Sequence, residues 1–135
     1  MSNGPTTVAI VNTNPDLVRL LRFALERAGF VVFILHVEDM RVGTTNIESI
    51  LKEHDPKVIV YDVAPPYDFT WNFLEHLRTQ TDFKGRKLVL TSMNVRRMQE
   101  VVGNHETVYE IVGQNEDLDA VVRAVKEASR ARPTR

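Results

Sequence analysis

Asp62 is the one charged residue in VIVYDVAPP, residues 58–66, a stretch that otherwise reads as a buried strand running into a stiff proline loop. Removing a carboxylate from water there is costly unless it has a partner or a task. The chemistry open to it is that of a nucleophile, and the plain alternative is a loop or cap residue. Thr91 and Ser92 end a second apolar run, LVLTS at 88–92, and Asn12, Thr13 and Asn14 follow a third, TVAIV at 7–11. Asn14, ahead of Pro15 and Asp16, is accounted for as a helix N-cap. With no cysteine, a thiolate nucleophile, a cysteine-ligated metal and a disulfide framework are excluded. His36, His54, His76 and His105 fall on different elements with no shared ligand spacing and are read as structural. No glycine-rich phosphate loop follows the first run, because NTNPD offers side chains where backbone N–H groups would be needed.

These residues need a scaffold, and its rhythm is legible. The 135 residues suit one domain with a real core, and a formal net charge of -1 shows no bias toward nucleic acid. The longest apolar runs are too short to span a bilayer and the N-terminus does not read as a signal peptide, so a cytoplasmic protein is expected. TVAIV at 7–11, FVVFILH at 30–36, KVIVY at 57–61, KLVLT at 87–91 and the short EIV at 110–112 read as strands. Between them, Leu17, Leu20, Leu21, Ala24 and Leu25 recur at helical spacing, with Gly29 as the stop. A Thr45/Glu48 capping box opens a second helix, which Asp55-Pro56 breaks. Trp71, Phe73, Leu74 and Leu77 mark a third helix, with Trp71 and Phe73 read as packing residues. Val95 to Val102, closed by Gly103, form a fourth, and Leu118 to Ala128 line a fifth. Arg96 and Arg97 read as a solvated face, and the cations Arg123, Lys126, Arg130 and Arg132 complement a helix C-terminus.

Five strands alternating with five helices predict an α/β fold, a three-layer α/β/α sandwich around a five-stranded parallel sheet. In such a sheet ligands gather beyond the carboxyl ends of the strands. The residues there are Asn12, Thr13 and Asn14, then Asp62, then Thr91 and Ser92, then Gly113 and Gln114. In this order of elements, and in the pieces IVNTNPDL, VIVYDVAPP and LVLTS, the chain from Thr7 to about Ala128 resembles the response-regulator (CheY-like) receiver domain, in an atypical or pseudo-receiver form.

The resemblance implies a flavodoxin-like receiver fold with strand order 2-1-3-4-5 over residues 7–129. Residues 1–6 would be a disordered N-terminus and 130–135 a basic tail or linker stub. It also implies that Asp62 is the candidate phosphoacceptor, with Ala64 and Pro66 in its loop, and that Thr91 is the switch residue. The acidic pair that would hold Mg²⁺ is replaced by Asn12 and Thr13, and the usual lysine by Gln114 or, with a one-residue shift, Gly113. Transfer of a phosphoryl group needs its oxygens neutralised, and Mg²⁺ prefers charged oxygen ligands. Asp62, Asn12 and the Ala64 carbonyl would therefore hold Mg²⁺ weakly if at all, and no other cofactor is implied.

Three functions remain open. The leading one is an atypical receiver in two-component phosphorelay signalling that works through protein–protein interaction and is not an enzyme. Its partner would be a histidine kinase or output domain on the helix 4–strand 5–helix 5 face, with a homodimer as a further option, and with no membrane or direct nucleic-acid binding. The second keeps Asp62 as a working phosphoacceptor of a histidine kinase, and the third is a doubly wound domain binding a small ligand.

Overall fold

A computed structural model describes residues 5–11, 15–35, 47–63, 65–80, 86–103, 108–113 and 118–130. The elements are β1 (Thr7–Val11), α1 (Pro15–Arg27), β2 (Val31–Leu35), α2 (Ile47–His54), β3 (Val58–Val63), α3 (Tyr67–Gln80), β4 (Lys87–Ser92), α4 (Val95–Val102), β5 (Val108–Gly113) and α5 (Leu118–Arg130). The strands form one parallel sheet in the order β2-β1-β3-β4-β5, as the resemblance implied.

Side chains of a strand alternate between faces, and here both faces are covered. Val8 and Ile10 of β1, Val58 and Val60 of β3 and Val89 of β4 pack under α1 and α5, against Leu21, Leu25, Val121 and Val125. Their neighbours Ala9, Val11, Ile59, Tyr61, Leu88 and Leu90 pack on the other face with Leu51 of α2, Trp71 and Leu74 of α3 and Met98 of α4. Trp71 is thus a core residue, in line with its expected packing role. No helix of the described residues is long and apolar enough to cross a membrane.

The helix ends follow local chemistry. Gly29 has φ 100° and donates its N–H to Glu26 O, while Phe30 donates to Leu25 O, which closes α1 with a Schellman turn. Gly103, at φ 64°, donates to Gln99 O and ends α4. The expected caps at Asn14 and Thr45 lie outside the described residues. β5 is longer than its short apolar run suggested, reaching from Val108 to Gly113. Leu88 faces Val108 but Val89 faces Glu110, so β5 carries one extra residue there. Thr6 accepts a hydrogen bond from Val31 N, and Arg130 is the last residue of α5.

One buried cation ties the lower end of the sheet together. Arg86, 8% exposed, donates to the Asp55 carboxylate at 2.7 Å, to Pro56 O at 2.8 Å and to Leu51 O at 3.3 Å. Asp55 stands at φ 47°, a left-handed position that aspartate tolerates, where α2 turns into β3. The arginine thereby gives Pro56 O a donor just beyond α2 and adds a second one to Leu51 O, which already accepts from Asp55 N. Arg86→Ala is expected to lower stability by about 2 kcal/mol, since it strands buried acceptors. Asp55→Asn should cost under about 1 kcal/mol, because that partner is mostly in water. Urea-denaturation midpoints of the two variants check the order.

Candidate functional site

Asp62 belongs to the row of Val58 and Val60, and Thr91 to the row of Val89, so alternation turns both toward the same face of the sheet. The β3–β4 register places Asp62 directly beside Thr91 and Val63 beside Ser92. The result is a short hydrogen bond: Thr91 Oγ1 donates to Asp62 Oδ1 at 2.6 Å. Thr91 is buried, 3% exposed, while Asp62 is half-buried at the edge where the strand ends. A neutral donor to a carboxylate at that distance is a charge-assisted bond, among the stronger kinds a protein makes.

Ser92 continues the site into the next helix. It is fully buried, accepts from Asn94 N at 3.1 Å and donates to Asn94 O at 3.3 Å. Asn94 is the N-cap of α4, its side-chain oxygen accepting from Arg97 N at 3.0 Å. The hydroxyl pair Thr91-Ser92 therefore holds Asp62 with one member and the start of α4 with the other. Arg97, on the first turn of that helix, reaches Glu100 at 3.3 Å and Asp68 of α3 at 3.4 Å. These residues, with Trp71, Asn72 and Val101, line an open groove of about 340 Å³ between α3 and α4.

Of the residues singled out in the sequence, the structure brings Asp62 and Thr91 together. Pro66 is exposed at the start of α3, its carbonyl accepting from Thr70 N. Gly113 ends β5 beside Ser92. Asn12, Thr13, Ala64 and Gln114 lie outside the described residues. His54 stacks on Phe33 with ring centroids 4.2 Å apart, His76 is exposed on α3, and His36 and His105 lie outside the described residues. The cap role of Asn94 and the bridging role of Arg97 went unread, although an asparagine one residue before the apolar-periodic run from Val95 was a usable signal for the first.

No family model matches the chain, and no curated protein matches it in sequence. Solved structures do match. A response regulator from Thermotoga maritima superposes with a TM-score of 0.71 at 16% identity, over 94% of this chain and 99% of that one. The chemotaxis protein CheY4 of Vibrio cholerae gives 0.67 at 15% identity, over 93% and 99%. An orphan response regulator of H. pylori gives 0.64 at 15% identity, over 96% and 100%. At such identities the likeness is one of fold: a receiver-type, flavodoxin-like sheet over nearly the whole chain.

The Asp62–Thr91 bond makes a measurable claim. In a double-mutant cycle of Asp62→Ala and Thr91→Val, followed by chemical denaturation, a coupling of about 1–2 kcal/mol is expected for a charge-assisted bond of this length. Additive effects would mean the two side chains do not meet in solution.

Proposed function

We propose that the chain is an atypical receiver domain of two-component signalling that acts by binding a protein partner, with phosphotransfer to Asp62 weakened or lost. The observation that carries this reading is the pairing of Asp62 and Thr91, at the ends of neighbouring strands of a receiver-type sheet, in a sequence with uncharged residues at the positions where the resemblance implies charges. Asn12 and Thr13 stand where an acidic pair would be, and neither Gly113 nor Gln114 is a cation.

The physical consequence concerns the transition state. A phosphoryl group in flight spreads negative charge over its equatorial oxygens, and preorganised positive charge is what stabilises it. Here one carboxylate is offered with an amide and a hydroxyl, a set that fits Mg²⁺ poorly because this ion favours charged oxygen ligands and gives up its water reluctantly. Thr91, the residue that the resemblance makes the switch, donates its hydroxyl to the Asp62 carboxylate.

A domain of this kind signals by shape and contact, as a binding module in the cytoplasm. The surface assigned to the kinase or output partner is the α4–β5–α5 face, where Arg96, Glu110, Arg123 and Lys126 are exposed. Ser92 and Asn94 tie the strand that carries Thr91 to the first turn of α4, so the site and this face share one rigid connection.

Incubation with acetyl phosphate and Mg²⁺, read by intact mass, tests the reading. The expected result is no substantial gain of roughly 80 Da, one phosphoryl group. Restoring the charges with Asn12→Asp, Thr13→Asp and Gln114→Lys should raise labelling on Asp62. Stoichiometric labelling of the unaltered protein that Asp62→Asn abolishes would establish a working phosphoacceptor instead.

A further inference from the structure

Asp16, Leu20, Phe23 and Arg27 of α1 recur at spacings that bring all four onto one line along a 3.6-residue helix. The line faces away from Val18, Leu21 and Leu25, which α1 buries against the sheet. Leu20 is 54% exposed and Phe23 61% exposed, and neither belongs to the core clusters. Asp16 and Arg27 are exposed at the two ends of the line. Read in chain order the stripe is acid, apolar, apolar, base; turned end for end it is base, apolar, apolar, acid.

That symmetry makes the stripe complementary to itself. Two copies of α1 laid antiparallel about an axis between Leu21 and Arg22 set Leu20 of each against Phe23 of the other. The same axis sets Asp16 of each against Arg27 of the other. The spacing is that of a coiled-coil seam, and the contact is isologous, with each pair made twice. Arg19 and Glu26 lie on the same flank of the stripe and come to face one another across the axis, about 3 Å out of step along it. In an alternative parallel pairing Asp16 would meet Asp16 and Arg27 would meet Arg27, which like-charge repulsion disfavours.

We propose that this stripe is a self-association surface, through which α1 pairs antiparallel with α1 of a second copy of this chain. Leu20 and Phe23 form its apolar centre, and Asp16–Arg27 ion pairs close both ends. Arg27 already lies over the Phe23 ring, its guanidinium carbon 5.6 Å from the centroid, so the cation is held on the stripe. The surface is separate from Asp62 and from the α4–β5–α5 face, and it stands whether or not Asp62 is phosphorylated. One helix face is smaller than the ~800 Å² per partner of a standard interface, so a weak, transient dimer is expected, to be sought at chain concentrations of about 10–100 μM.

Sedimentation velocity of the full chain across that concentration range tests the proposal. The expected result is a concentration-dependent dimer that Phe23→Glu converts to monomer. Asp16→Arg and Arg27→Asp each place like charges at both ends, and each should weaken self-association by about tenfold or more. Mixed in equal amounts, these two variants should form a heterodimer in which every end is again opposite in sign, and that recovery also shows both variants are folded. Unaltered protein that remains monomeric throughout overturns the proposal and leaves the stripe to a different protein. A dimer indifferent to all three substitutions, or a mixture that behaves as the average of its parts, overturns it as well.

Discussion

The register between β3 and β4 is the constraint on which the site depends. Both faces of the sheet are buried, so each strand must present apolar side chains up and down in turn. A slip of one residue would send Val58 and Val60 to the face that holds Ile59 and Tyr61, and would disturb both core clusters at once. The core therefore enforces the alignment. The pairing of Asp62 with Thr91 is a by-product of that enforcement, delivered at the one place where the rows run out of apolar residues.

Seen this way, a carboxylate at a strand end is explained by two separate causes. The fold accounts for its position and Thr91 accounts for its tolerance, because a short bond from a buried hydroxyl offsets part of the desolvation that would otherwise oppose charge there. Chemistry is a third matter and depends on neighbours that the strands do not dictate.

Much of this was legible in the residues themselves. The strands β1, β3 and β4 are unbroken apolar runs ended by a proline or a polar residue, and α1, α3 and α5 show their buried stripes at helical spacing. Asp62 and Thr91 could be placed because each ends such a run. Their bond could not, since it depends on which residues of two separate strands stand side by side. β5 was read as EIV alone, without Val108, Tyr109 and Gly113, because the added residue near its start leaves no alternating signal there. Arg86 was invisible for a different reason. It sits between Gly85 and Lys87 as one more cation, and its role appears only when the end of α2 is brought near it in space.

That same arginine bears on how the domain comes apart. The three oxygens it binds belong to the segment from Leu51 to Pro56, whereas the arginine itself comes with β4. Until β4 has joined the sheet, the turn from α2 into β3 keeps its own Asp55 N–H bond to Leu51 O but lacks the arginine that also binds Pro56 O and the Asp55 carboxylate. The contact bridges a long stretch of sequence and rewards assembly late, which favours cooperative folding of the whole over stepwise accretion from the N-terminus.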